Sequence, residues 1–582
     1  MRNFIKRFVD ASSVKSIAVF LISGFFAWFP LTNTDIWWHL ATAREMLASA
    51  TYLYTDPFSF TPHVECWINL HWVFQLVAYG IYQVASVKGL VLCKAALFGL
   101  TTVVVYYAIP AAKRGWIGVL LLGLAVFEVR YLVLARPIVV TTLMIALFMS
   151  LFERWRVERR VGYLLPLIPL QIIWTNAQGL FILGPVIAGA YWMGDGLIAY
   201  LVASPARSGK RIDRTAIRDI SAIAGAIVLS TIVNPRHVHG ILFPFKLFSR
   251  IDPNLKNIYA TNVSENAPLM TLMSNEPRYF VSAVIITLLL VVSFFAALRR
   301  FRWSHAMLSI GFFALAFMAK RNILLYFIVA VPILVHNFGL VNHPEARLKD
   351  VAYYRKNIIG MMGVIILLFG FTHAKMLSIS PGNGIAPFRY PQEAVRYLDG
   401  HPVGGNMFNA IRAGGYLLWE RYPPHQVFID GRLIIRTPAF FAEYLSILDN
   451  PDLFAALDRR FSITHVLVPT ALHGRYKGFA ARLYRLAEWK LVSYDGAWAL
   501  FYHEDVASGT GINLANQTDV DRITTQLKRK WRQNPEIYQE AIGYIRQFLL
   551  QLSLNTDPLA TNQEKRFSGN CPLISWVHPS KF

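Results

Sequence analysis

The chain has 582 residues, of which 55% are hydrophobic and only 16% charged, and its apolar residues come in long runs that one soluble core could not absorb. This excludes a soluble globular protein and reads as a polytopic membrane protein. The formal charge of +23 falls in short Lys and Arg clusters between the apolar runs, a topology signal that points to anionic lipid and away from nucleic acid, while three distant cysteines, Cys66, Cys93 and Cys571, make neither a zinc site nor a disulfide framework.

Arg2, Lys6, Arg7 and Lys15 accompany the first apolar run, residues 14–31, and no small-residue cleavage site follows it. It is therefore expected to stay as a span with its N-terminus in the cytoplasm. The stretch TDIWWHLATAREML, residues 34–47, comes next, at the outer face. It sets Asp35 at the hydrocarbon edge, where a charge is costly to hold, just before Trp37 and Trp38, which suit the interface. A helix starting here places Asp35 and His39 four apart on one face. Two readings stand open: Asp35 caps that helix with help from Thr34, or it carries chemistry together with His39.

Residues 69–87 are long enough to cross a bilayer, but His71, Gln75, Tyr79 and Gln83 recur every four residues and predict a helix lying in the interface. Parity supports this. Only a non-crossing segment puts the basic clusters at Lys113/Arg114, 154–160, 207–218, 299–302 and 347–356 together on the cytoplasmic side. Further spans are then expected at 89–109, 116–127, 137–152, 163–175, 180–200, 220–233, 279–298, 305–319, 323–335 and 358–376. That makes about eleven, several too short for a ~30 Å core without water-filled or protein-lined ends. The odd count leaves everything after Lys375 outside.

The expected organisation is a transmembrane domain, 1–378, with a first outer loop at 32–88, then an outer α/β domain, 387–505, and a helical tail, 506–582. In the α/β domain the runs VFID (427–430), THVLVP (464–469), WKLVSYD and AWALFYH (489–503) read as strands, and 440–448 and 476–486 as helices. The tail shows two amphipathic patterns, 519–531 and 535–552.

At the predicted outer span ends a polar set collects: Asp35 and His39, Arg130 and Arg136, Asn176 and Gln178, His237 and His239, Glu265, and Lys320 with Arg321. Singly, such residues snorkel or satisfy local structure. Together, one acid and several fixed cations beside a membrane suit a transfer whose leaving group is a lipid-linked phosphate. The acid would take the acceptor's proton or hold a metal, and the cations would stabilise charge on the departing phosphate. Walker, dinucleotide, HExxH and GxSxG motifs are absent. Asp430-Gly431-Arg432 reads as a turn fixed by an Asp-Arg pair, and Gly414-Gly415 as a tight turn or a close approach to the membrane part.

A first span followed by an outer loop that opens on an acid, an interfacial helix, and many spans ending in an outer α/β domain resembles the GT-C fold glycosyltransferases. These include the protein O-mannosyltransferases, the lipid A aminoarabinose transferase and the oligosaccharyltransferase catalytic subunit. DIWWHLATAREML with YTDPFSFT, ARP (135–137), WTNAQG (174–179), VNPRHVHG (233–240), GGYLLW (414–419) and VFIDGR (427–432) look like a bacterial branch of that superfamily. The resemblance implies a multi-pass protein of the bacterial inner membrane with an extracytoplasmic C-terminal domain. It implies transfer of a sugar from a polyprenyl-phosphate donor to a protein, lipid or glycan acceptor. Asp35 would hold the catalytic acidic position. From their place at the predicted outer span ends, and not from the resemblance, Arg136, Lys320, Arg321, His237 and His239 are expected to hold the donor phosphate, and Asn176 and Gln178 the sugar or acceptor, in one cavity. The chain departs from that branch in Gln178, where WxNxHG would have His. The oligosaccharyltransferase Asp-x-Asp is missing too, which leaves Glu265 as the acidic candidate for a divalent metal, Mg or Mn. The rival readings are a lipid-linked sugar transporter or flippase, for which an inverted repeat would be expected, and a non-catalytic assembly subunit.

Overall fold

A computed structural model describes residues 11–64, 66–109, 115–201, 214–249, 258–338, 348–379, 384–471, 474–509 and 511–553. The basic residues Arg2, Lys6, Arg7, Lys113 and Arg114, most of the 207–218 cluster, Cys571 and the polar end of the tail lie outside the described residues.

In chain order the helices begin with α1 (Ala11–Ala27), α2 (Ile36–Ala48), α3 (Trp72–Ala108), α4 (Trp116–Val129), α5 (Ile138–Glu158), α6 (Leu167–Ala177) and α7 (Leu183–Tyr191). There follow α8 (Arg214–Ser230), α9 (His237–Ser249), α10 (Pro277–Ala296), α11 (Trp303–Met318), α12 (Ile323–Phe338) and α13 (Leu348–Ile379). The last third holds α14 (Gln392–Gly400), α15 (Ile411–Arg421), α16 (Pro438–Asp449), α17 (Phe454–Phe461), α18 (Gly474–Arg485), α19 (Gln517–Lys530) and α20 (Pro535–Gln551). It also holds four strands, β1 (Asn406–Asn409), β2 (Ile463–Pro469), β3 (Trp489–Tyr494) and β4 (Trp498–His503). Two compact units result, one from Met1–Leu31 with Ile68–Ala374, the other from Thr32–Trp67 with Lys375–Phe582.

The first unit is helical and apolar. Among the described residues five helices are long and apolar enough to cross a membrane: Trp72–Ala108, Ile138–Glu158, Pro277–Ala296, Lys320–Phe338 and Lys356–Ser378. Shorter apolar helices lie at Ser13–Ala27, Val161–Ala177 and Trp303–Met318. α12 is apolar all round and nearly every one of its side chains is buried, as a helix at the centre of a bundle requires; it packs on α10, α11, α4 and α5. α10 and α13 instead leave Val281, Ile285, Leu288, Val292, Leu367 and Phe371 exposed, an apolar face suited to lipid. The interfacial helix expected at 69–87 runs into the next span as part of α3. The two are separated by one break at Ser86 (φ 51, ψ −150), a conformation costly for a residue with a Cβ, and the break comes where the polar stripe ends.

In the second unit the sheet order is β1-β2-β4-β3, with β1 parallel to β2 and the other pairs antiparallel. Buried rings of Phe408, Phe428, Tyr444, Phe454 and Phe479 fill its core, each contributing about 2–3 kcal/mol by leaving water. The expected strands at 464–469 and 489–503 and the helices at 440–448, 476–486, 519–531 and 535–552 appear within two or three residues at either end. VFID is a correction: it joins no strand of the sheet. Its backbone groups are taken by the first loop and by a side chain, with Val427 N donating to Phe58 O, Phe428 N to Asn409 Oδ1, and Thr61 Oγ1 to Phe428 O. The strand in that part of the chain is Asn406–Asn409.

Candidate functional site

The N-terminus of α2 is built without the Asp35 carboxylate. Asp35 occupies the N-cap position in αR geometry and its side chain makes no capping bond; Asn33 Oδ1 instead accepts from Asp35 N at 3.1 Å. The carboxylate lies against Gly431, where an added Cβ would run into Asp35 Oδ1 and approach Trp38 Nε1. That glycine is needed for space and not for a left-handed turn. His39 is buried with its ring against Trp38, centroids 3.6 Å apart, whereas Asp35 is partly exposed.

Gly431 is held by its neighbours. Arg432 forks onto Asp430, Nε to Oδ1 at 2.9 Å and Nη2 to Oδ2 at 2.6 Å, and its Nη1 reaches Asp56 Oδ1 at 2.6 Å, all three side chains being buried. Burial pushes the Asp56 carboxyl up, but Arg432 outweighs it and holds the group below its ordinary value. YTDPFSFT and VFIDGR are thus clamped together, with a further bridge between Ser59 and Val427. The glycine pair of α15 sits inside a helix, not in a turn. A Cβ at Gly414 would strike Ile429 O and Asp430, and one at Gly415 would meet Thr34 O at 2.8 Å, so the close approach is to the two elements that frame Asp35. Arg44 locks α2 onto α15 by donating to the carbonyls of Leu418, Trp419 and Tyr422 at 2.9–3.0 Å, which satisfies the C-terminal carbonyls of that helix. Sequence reasoning missed Arg44 because its partners are some 375 residues away.

In the helical unit the predicted phosphate ligands divide. Arg136, Glu265, Lys320 and Arg321 come together: Arg136 ion-pairs with Glu265, whose short turn packs on the Lys320–Asn322 turn. Burial raises the Glu265 carboxyl, yet Arg136, then Arg321 and Lys320, bring it below its ordinary value. Lys320 Nζ holds both oxygens of Glu276 at 2.6 and 2.8 Å. The cationic cluster continues beyond the predicted set. Arg278, within electrostatic reach of Lys320 and Arg130, stacks on Tyr279 and Tyr131. Buried Arg130 lies on the Phe127 ring, and buried Lys94 places Nζ 3.2 Å from the centroid of Phe29 and 3.3 Å from its carbonyl oxygen. Across this basin Lys94, Arg130, Arg136, Arg278, Lys320 and Arg321 outnumber Glu128, Glu265 and Glu276 two to one. Lys94 and Arg278 escaped the sequence reading because each is a single cation in or beside an apolar run.

His237 and His239 open α9, exposed, and their side chains make no hydrogen bond to the basin among the described residues. Asn176 does structural work: it accepts from Trp72 Nε1 at 2.9 Å and donates to Val233 O at 2.7 Å, tying α3, α6 and the end of α8, so WTNAQG and VNPRHVHG meet. Gln178 accepts from Leu180 N and closes its own turn.

No family model and no curated protein sequence matches the chain. In structure it is similar to the apo crystal structure of an oligosaccharyltransferase from Archaeoglobus fulgidus, with a TM-score of 0.50 and 10% identity over 93% of this chain and 87% of that one. The fold is similar to that of a GT-C glycosyltransferase. Two more structures of the enzyme from that organism match at a TM-score of 0.48. One, AglB in complex with an inhibitory peptide and a dolichol-phosphate, is 10% identical over 92% and 86% of the two chains; the other, with Zn and sulfate, is 11% identical over 93% and 87%.

Glu265 is the acidic candidate for a divalent metal, and the donor set here does not fit one. Among the described residues no three His, Cys, Asp or Glu side chains gather. Glu265 is engaged by Arg136, and Asp56 and Asp430 by Arg432. No chemical step below is routed through a metal.

Proposed function

We propose that this chain is an integral-membrane glycosyltransferase that moves a sugar from a polyprenyl-phosphate donor to an acceptor at the outer face of the membrane. The observation that carries the reading is the surplus of buried and half-buried cations in the helical unit, set in a fold that resembles an oligosaccharyltransferase. Buried cations cost several kcal/mol each to desolvate, and a phosphate leaving group rewards that cost. In this reading Lys94, Arg130, Arg136, Arg278, Lys320 and Arg321 take the donor phosphate, and Glu265 and Glu276 keep Arg136 and Lys320 in place. Asp35 accepts the proton of the acceptor nucleophile as its heteroatom bonds to the anomeric carbon. The carbon–oxygen bond to phosphate breaks with its electron pair on the phosphate, where the cations stabilise the charge. A flippase is less well supported, because every cation of the surplus except Lys94 lies at or beside a helix end and not midway along it.

The test is transfer by purified protein from labelled polyprenyl-phosphate sugars, compared with Asp35→Asn. Because Asn keeps the shape of Asp and caps helices about as well, the Asn variant is expected to melt like the wild type while transfer falls by about a hundredfold to ten-thousandfold, the usual cost of losing a general base. Transfer at a near wild-type rate by a folded Asn variant would sink the assignment.

A further inference from the structure

Between β1, β2 and the segment that follows α15 lies a cavity of about 400 Å³, which falls in the range of roughly 300–1,000 Å³ typical of small-ligand sites. Its hydrogen-bonding lining is unusually well determined. Thr464 Oγ1 donates its one proton to Gly404 O at 2.7 Å, so at its 2.8 Å contact with His465 Nδ1 it must accept. His465 therefore carries its proton on Nδ1 and turns a bare acceptor, Nε2, toward the cavity. Nε2 has no partner among the described residues, although the side chain is only 3% exposed. That acceptor is open to the cavity, where a ligand hydroxyl can donate to it.

His425 is fixed in the same way. A guanidinium only donates, so Arg421 Nη2 at 2.9 Å makes His425 Nε2 an acceptor and leaves Nδ1–H to donate. Burial pushes His465 down to about 3, with His425 and Arg421 adding to the effect, and burial and then Arg421 push His425 down, so both rings are neutral at pH 7. The charge of Arg421 is met by Asp399. Asn406 gives its Nδ2 to Phe461 O and keeps Oδ1 as a second acceptor, and Tyr422, Pro423 and Pro424 supply flat apolar surface. The site is neutral, mixes acceptors with a donor, and offers ring faces.

We infer that this cavity binds one neutral sugar residue, whose hydroxyls donate to His465 and Asn406 and accept from His425 while its C–H face lies on Tyr422 and the prolines. An ionised phosphate ester or carboxylate group offers only acceptors and would leave His465 Nε2 unmet, so the group seated on His465 is a hydroxyl. The inference adds a carbohydrate subsite to the proposed transferase, but it does not depend on transfer.

The experiment is equilibrium binding of free neutral monosaccharides (glucose, galactose, mannose and N-acetylglucosamine) to the full chain in detergent, with glucuronate and glucose 6-phosphate as anionic counterparts. At least one neutral sugar is expected to bind in the millimolar range. His465→Phe, which keeps bulk and removes the acceptor, and His425→Ala, on the rim, are each expected to weaken binding at least tenfold. If His465→Phe melts early, His425→Ala still decides. Tighter binding of the anionic sugars, no binding of any neutral sugar, or binding indifferent to the histidine changes would each overturn the inference. Should sugar bind while no donor sugar is transferred, the subsite stands and the transferase reading falls. Adding the intact lipid donor or the acceptor glycan as competitor tells which of them supplies the sugar.

Discussion

A Cβ on residue 431 would collide with the Asp35 carboxylate, while one on residue 414 would collide with Ile429 O and Asp430 and leave Asp35 untouched. The pair makes a controlled test of whether the position of that carboxylate matters. Both Gly431→Ala and Gly414→Ala are expected to cost about 1–3 kcal/mol of stability by overpacking. Only Gly431→Ala is expected to lose roughly a hundredfold in transfer, the scale of an ångström's misplacement of a reacting group. Equal transfer losses in assays matched for folded protein would count against a positional role. Arg432 sits one shell further out: with Arg432→Met, Asp430 and Asp56 become buried carboxylates without their cation, so a loss of about 3–5 kcal/mol is expected by thermal melting. The Asp-Arg turn was legible in sequence because its members are two residues apart. Asp56 was not, since it pairs across 376 positions and nothing local in YTDPFSFT announces that partner. The capping alternative for Asp35 could not be decided from sequence either, because Asn33, two residues before it, carries an equally good capping oxygen.

The elements were read well where periodicity is strong and poorly where side chains replace ladders. Every expected span became helical over most of its length, and the polar stripe at 71–83 ended within three residues of the break at Ser86. VFID has the composition of a strand but gives its backbone to the Phe58–Thr61 loop, whereas NMFN, with an Asn at either end, became β1. Lys94 is the least legible functional candidate, a lone cation on a long apolar helix whose acceptor is the Phe29 carbonyl. Lys94→Met and Arg136→Ala are each expected to raise the KM for the lipid donor about tenfold to a hundredfold, the loss of one charge-assisted contact worth about 1.5–3 kcal/mol, with the acceptor KM unmoved. An unchanged donor KM in both would remove the basin from the reaction. In α20, burial lifts the Glu540 carboxyl to about 7 although Tyr544 Oη donates to it at 2.6 Å and draws it back. A carboxyl raised in the folded state stabilises fully below its ordinary value of 4.5 and loses that contribution as pH climbs through 7. The melting temperature is therefore expected to fall from pH 5 to pH 8 more steeply in the wild type than in Glu540→Gln, with the variant about 1–2 kcal/mol ahead at pH 8, a figure discounted for partial exposure. Parallel curves would refute the shift.

Across the helical unit charge is segregated by helix end. α5 starts beside Arg136 and carries Glu153 in its last turns, and α11 starts beside Arg302 and stops just before Lys320. At the far ends from the cationic basin, Arg302 bonds Glu153 at 2.9 Å and Asp195 at 2.8 Å, with Tyr191, Ser304 and His305 closing the network. That end is balanced by its own carboxylates, so the surplus positive charge belongs to the other one. The basic residues 154–160 continue from the Glu153 end, which by the positive-inside rule belongs in the cytoplasm. The basin would then face outward, as the proposed transfer from a lipid-phosphate donor requires. The chain contains its own probe of this orientation in Cys66, an exposed free thiol in the loop carrying Asp35, and Cys93, exposed on a helix that would lie in lipid. With Cys571 changed to Ser, a membrane-impermeant maleimide applied to the outer side of intact spheroplasts is expected to label the wild-type thiol set and to fail on Cys66→Ser. A thiol introduced by Arg160→Cys into that Cys66→Ser background, at an exposed position just past the end of α5, is expected to react only after the membrane is opened. Outside labelling at residue 160 together with protection of Cys66 would invert the molecule, and with it the side on which donor and acceptor are sought.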